Sequence, residues 1–132
     1  MRATMHMLMA LGLATALPSC FAAARQPTSP ALTGEEVYGR CVGCHSLAID
    51  RTGPRHCGLL GRRAGSVRGF AYSEAMARSN IVWNETTLDR FLADPERTVP
   101  GTTMTIAGIS DRKERASLIA YLRAASVSPE CK

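Results

Sequence analysis

The sequence predicts an all-α domain with a terminal helix at each end and short helices and loops between them. Two segments have capping-box form, Thr33-Gly34-Glu35-Glu36 early in the chain and Asp111-Arg112-Lys113-Glu114 late in it. In such a box a side-chain oxygen at the first position accepts from the N–H three residues on, which starts a helix. After the second box Leu118, Ile119 and Leu122 recur at the spacing of one helical face. No stretch alternates apolar and polar residues as a half-buried strand would, and no internal repeat stands out.

In chain order, residues 1–24 read as a secretion signal. Arg2 is the charged flank, Met7 to Leu17 an apolar run too short to span a membrane, and Ser19-Cys20-Phe21-Ala22-Ala23-Ala24 a cleavage region. Cleavage after Ala24 satisfies the small-x-small preference, and Ala22 is the second choice. Leu17-Pro18-Ser19-Cys20 loosely resembles a lipobox with Cys20 as its acceptor, but the proline fits poorly. The expectation is export to the periplasm. Residues 25–32, with Pro27 and Pro30, form a flexible lead-in. Residues 33–126 form one domain and 127–132 a tail.

Thr33 is expected to cap a short helix that runs into Cys41-Val42-Gly43-Cys44-His45. Two thiols three residues apart followed directly by an imidazole form the c-type haem attachment signature. On one helical turn the sulfurs reach the two vinyl groups of a single porphyrin, and the histidine turns under the ring to ligate iron. A thioredoxin-like pair would need a βαβ pattern nearby, and a zinc site a second Cys/His pair at ligand spacing; neither is present. Thr52-Gly53-Pro54 and Gly58, Gly61, Gly65 and Gly69 then mark a long irregular stretch, consistent with wrapping a cofactor. Ser73 to Ser79 and Glu85 to Ala93 read as short helices, the second capped by Asn84 and stopped by Asp94-Pro95.

Without residues 1–24 the chain keeps 15 Lys+Arg against 11 Asp+Glu, since the only charge removed is Arg2. A basic surplus steers a protein toward acidic partners or anionic membrane surfaces. The basic residues are dispersed rather than striped, which argues against nucleic acid. The full sequence has three Phe, of which Phe21 lies in residues 1–24, three Tyr and one Trp, few for filling a core, and a buried porphyrin would add apolar volume.

An iron held by His45 has a second axial position. Beyond residue 24 the other His and Met residues are His56, Met76 and Met104. His56 would have to reach round from the same side as His45. Met76 sits in an expected helix, where methionine usually fills core. Met104 follows the rigid turn Val99-Pro100-Gly101-Thr102-Thr103 and is the candidate, its plainer role being a core methionine at a helix boundary. A His/Met pair raises the potential relative to His/His and leaves iron six-coordinate, suited to electron transfer rather than to binding a substrate.

From Thr33 to Ala124 the chain resembles a class I c-type cytochrome of the mitochondrial and bacterial soluble-carrier type. The likeness runs through Cys41-Val42-Gly43-Cys44-His45, Thr52-Gly53-Pro54, Gly58-Leu59-Leu60-Gly61-Arg62, Gly69-Phe70-Ala71-Tyr72, Trp83, Pro100-Gly101-Thr102-Thr103-Met104, Ala107-Gly108-Ile109 and Leu118-Ile119-Ala120-Tyr121-Leu122. It implies the cytochrome c fold, with the terminal helices packed together around one haem c bound through Cys41 and Cys44. It further implies that the carbonyl of Pro54 accepts from Nδ1 of His45, that Arg62, Tyr72 and Trp83 surround one haem propionate, and that the Thr102 hydroxyl lies near the other. Redox proteins are the implied partners of a monomeric one-electron carrier that is not an enzyme, free or peripherally attached to a membrane. A haem enzyme or ligand-binding protein with accessible iron, or a module docked on a larger oxidoreductase, are the alternatives.

The chain departs from the family pattern at several places. Phe91 stands where a tyrosine commonly bonds the methionine sulfur, and Met76 where an asparagine often sits. Val37 stands where a phenylalanine packs on the last helix, and Thr33 where a tight-contact glycine lies, so altered packing between the terminal helices is expected. Where lysines ring the haem edge in relatives that feed oxidases, this chain has Arg40, Arg51, Glu96, Thr103, Ser110 and Asp111. Cys57 and Cys131 remain after the haem thiols are counted. An even number of cysteines in an exported domain suggests that they pair, two free thiols being the alternative.

Overall fold

Thr33 starts the first helix as the sequence suggests. Its hydroxyl accepts from the Glu36 N–H at 3.3 Å and the Glu36 carboxylate accepts from the Thr33 N–H at 2.7 Å. The computed structural model describes residues 30–132. The expected secretion signal and most of the expected lead-in therefore lie outside the described residues. Five helices follow in order: α1 Gly34–Tyr38, α2 Glu74–Arg78, α3 Glu85–Ala93, α4 Pro95–Thr98 and α5 Arg112–Ala125, with a 3-10 turn at Pro129–Cys131. Among the described residues there is no strand, only an isolated bridge between Arg63 and Val82.

Asp94-Pro95 ends one helix and also begins another. Asp94 caps α3, whose last bond runs from its own N–H to the Arg90 carbonyl, and its carboxylate then accepts from the Arg97 N–H to start α4. Proline at the first helical position costs nothing, because that N–H has no partner in a helix. The second capping box is only half formed. Asp111 accepts from the N–H groups of Lys113 and Glu114, but the Glu114 carboxylate turns away to take both guanidinium nitrogens of Arg40, at 2.6 and 3.0 Å. That pair joins the chain just beyond α1 to α5.

Helices α1 and α5 pack on each other, and α5 also packs on α3. Here the expected register needs correcting by one residue. The tight-contact glycine is present and is Gly34, not position 33: a Cβ on Gly34 would press into the Ser117 carbonyl and stand 2.6 Å from Cβ of Tyr121. The aromatic residue against the last helix is Tyr38, its ring 5.2 Å from that of Tyr121, while Val37 beside it is fully buried. Only a residue without a side chain allows the two backbones to approach this closely. The rest of the core comes from Leu88, Phe91 and Leu92 of α3 and Leu118, Ile119 and Leu122 of α5. The tail returns to the haem-motif side, bringing Cys131 to Cys57 with Cα atoms 5.2 Å apart, inside the range a disulfide requires.

Candidate functional site

The chain leaves α1 in tight turns. Cys41 N–H bonds to the Tyr38 carbonyl at 2.8 Å, and Cys44 and His45 N–H both bond to the Cys41 carbonyl, at 3.1 and 2.9 Å. The motif is thereby wound into one helical turn. Cys41 is half-buried and Cys44 is exposed, and neither is in a disulfide. Burial pushes the Cys41 thiol above its usual range, partly offset by the Arg40 guanidinium.

His45 is buried, and its ring is held at several points. Nδ1 lies 2.7 Å from the Pro54 carbonyl. A carbonyl only accepts, so Nδ1 carries the proton and Nε2 presents a lone pair. Burial lowers the pKa of His45, keeping it neutral, although the Pro54 bond acts the other way. Gly53 lies alongside the ring: a Cβ there would stand 2.6 Å from both Nδ1 and Nε2. His56 stacks on it, ring centroids 4.2 Å apart and planes 23° from parallel. Burial, with His45 and Arg62 nearby, pushes the pKa of His56 down to about 3.

A cavity of about 290 Å³ opens beside these groups. It far exceeds the water-sized voids that a packed core tolerates, so it is a place for a ligand and not a packing flaw. All of the residues expected to hold the haem line it: Cys41, Cys44, His45, Pro54, Arg62, Tyr72, Trp83, Thr102 and Met104. His56, Met76 and Phe91 line it too, with Leu59, Leu118 and Leu122 among its apolar walls.

The polar groups on the wall divide into those already engaged and those with donors to spare. Arg62 gives one nitrogen to the Cys57 carbonyl at 3.0 Å and another to that of Arg55 at 2.8 Å. The Tyr72 oxygen accepts from the Val67 N–H at 3.4 Å, which leaves its own proton to donate. Trp83 is buried and lines the same wall. A hydroxyl proton beside a guanidinium suits an anionic group. Two cysteines on one helical turn, an imidazole with Nε2 unengaged, a thioether and apolar walls together fit a covalently attached haem.

A model of the family described as cytochrome c matches residues 31–126. The chain belongs to the cytochrome c family. Cytochrome c2 of Blastochloris viridis is 41% identical to it over 96 residues, covering 70% of this chain and 76% of that protein. Cytochrome c of Euglena viridis is 44% identical over 93 residues, 68% of this chain and 91% of its own. The solved structure of cytochrome cH from Methylobacterium extorquens superposes with a TM-score of 0.68 at 39% identity, over 69% of this chain and 94% of that one. As a class I c-type cytochrome, the protein is an electron carrier with covalently bound haem c and not an enzyme.

In this cytochrome the Met104 segment is tied down by groups that local sequence patterns do not reveal. Thr102 Oγ1 accepts from the Met104 N–H at 3.3 Å, and Glu96 Oε1 from the Gly101 N–H at 3.0 Å. The Ile109 N–H reaches the Leu92 carbonyl at 2.8 Å. Arg115 of α5, 8% exposed, donates to the carbonyls of Ile109 and Ser110 at 2.8 and 3.0 Å. Glu96, one of the acidic replacements in the expected lysine ring, is thus also a brace for the turn. A buried arginine on an apolar helix face would have been the only sequence clue to Arg115.

Proposed function

We propose that the chain is an exported monohaem cytochrome, attached to haem through Cys41 and Cys44, with His45 and Met104 as its axial ligands, shuttling one electron between redox proteins. The observation that carries this reading is the convergence of both thiols, the unengaged Nε2 of His45 and the Met104 thioether on one largely apolar cavity. When bound, haem c supplies an iron that takes up and gives up a single electron. The protein's part is to hold its ligands still. Pro54 keeps His45 in the tautomer that offers Nε2, and Thr102 and Glu96 steady the turn that bears Met104. Phe91 and Met76 contribute apolar wall instead of hydroxyl or amide groups, which lowers the polarity around the ligands. Arg62, Tyr72 and Trp83 are the groups proposed to receive one propionate, and Thr102 the other.

Export through the signal at residues 1–24 supports a periplasmic location, with residues 33–126 as the domain and 127–132 as the tail. That compartment favours oxidation of Cys57 and Cys131 to a disulfide, and their placement allows it. The partner-facing surface is less basic than a ring of lysines, since the Arg40 charge is already paired with Glu114. A monomer that meets its partners transiently, in solution or at a membrane surface, is the matching mode of action.

Visible spectroscopy of the purified protein tests the proposal. The spectrum of a low-spin c-type haem is expected, with a sulfur-to-iron band that disappears in Met104→Ala while carbon monoxide binding appears. A colourless mature protein, or an unchanged spectrum after that substitution, would overturn it.

A further inference from the structure

We propose that His56 is a positioning residue for the axial ligand: by lying flat against His45 it sets the rotation of that imidazole about its own axis. The inference rests on the reading of His45 as the iron ligand and goes beyond it. One hydrogen bond to Nδ1 fixes where the edge of a ring points but leaves the ring free to rock about that bond. Rocking stops only when something packs against the ring, and here Gly53 and the His56 ring both do.

His56 is itself well anchored. Its N–H lies 3.0 Å from the carbonyls of both Ser46 and Leu47, the residues directly after His45, and the Cys57 N–H reaches the Leu47 carbonyl at 2.7 Å. Cys57 is in turn the residue brought to Cys131. Ligand and stacking ring therefore sit on two short segments bonded to each other, so they move as one. The Tyr38 ring meets His56 edge-on, with centroids 5.7 Å apart, and limits its swing. A filler would serve better as an aliphatic side chain, because the His56 Nδ1 is enclosed and finds no partner among the described residues. What the position uses is the flat ring.

The plane of an axial imidazole determines how unpaired spin spreads over a ferric porphyrin, so proton NMR of the oxidised holoprotein reads it directly. The wild type is expected to give one set of strongly shifted haem methyl resonances. His56→Phe, which keeps a flat ring, is expected to preserve their order and spread. His56→Leu and His56→Met, which keep bulk without flatness, are expected to reorder them or split them into two sets; either variant suffices if the other does not accumulate. Leu and Met variants with the wild-type pattern would overturn the proposal, as would a Phe variant displaced as far as they are. The underlying ligand assignment is tested separately: a wild-type protein without strongly shifted methyl resonances, or His45→Ala retaining the wild-type pattern, removes that reading and the positioning role with it.

Discussion

Arg115 on α5 reaches the carboxylate of Asp89 on α3 at 2.7 Å, with its side chain almost wholly enclosed. The same guanidinium holds the carbonyls of Ile109 and Ser110. One side chain thus ties two helices to the far end of the Met104 segment, and its loss would be felt both in stability and at the proposed ligand.

Arg115→Leu is expected to destabilise the protein by about 3 kcal/mol. That is the low end for breaking a buried pair, because Asp89 keeps some access to water that softens the loss. Urea unfolding of the holoprotein measures it. The sulfur-to-iron band should weaken in the same variant, whereas a drop in stability with an untouched band would mean that the Ile109–Ser110 carbonyls do not steady Met104.

Gly53→Ala places a methyl against the His45 ring, 2.6 Å from both nitrogens. Real contacts do not come that close, so either the loop or the imidazole must move. The expected outcome is a several-fold lower yield of haem-bearing protein, or a product whose spectrum shows a weakened axial ligand. Haem content per polypeptide, compared with that of the wild type, decides the matter.

Pairing of Cys57 with Cys131 would close a loop with a sequence separation of 74. In the chain-entropy description, such a link is worth about 4 kcal/mol. Cys57→Ser/Cys131→Ser is expected to lose that much in urea unfolding under non-reducing conditions. Alkylation of both thiols in the unreduced wild type would show that the link is not made.

His56 supplies a pH dependence whose sign follows from its burial. Its folded pKa is pushed down to about 3, against 6.5 for the free side chain. As pH falls below 6.5 the unfolded chain takes up a proton that the folded protein refuses, so stability is present above 6.5 and drains away toward pH 3. The loss by pH 4 is on the order of a few kcal/mol. His56→Leu is expected to show a shallower fall in urea midpoint between pH 7 and pH 4, and equal slopes would place His56 in contact with water.

The helix starts at Thr33, Ser73, Asn84 and Asp111 were legible because a cap is a contact between residues two or three apart, decided within one turn. The haem-attachment stretch was legible for the same reason, its function residing in adjacent side chains. Met104 followed from the short inventory of His and Met residues, and the likeness to a family added Pro54, Arg62, Tyr72, Trp83 and Thr102; all six line the cavity. Even so, a likeness read by spacing placed the close-contact glycine at Thr33, where only the meeting of Gly34 with Ser117 and Tyr121 on α5 could assign it.

By itself, then, the sequence determined what short-range chemistry decides: which residues begin helices, which thiols and imidazole stand together, and which cofactor they suit. The tertiary structure alone decided which distant groups share a contact. Arg40 with Glu114, 74 positions apart, and Arg115 with Asp89, 26 apart, belong here, as does His56 lying on His45. Such pairings form only once the apolar faces of α1, α3 and α5 have closed on one another. A charged or aromatic side chain carries no local mark of the partner that closure will bring to it.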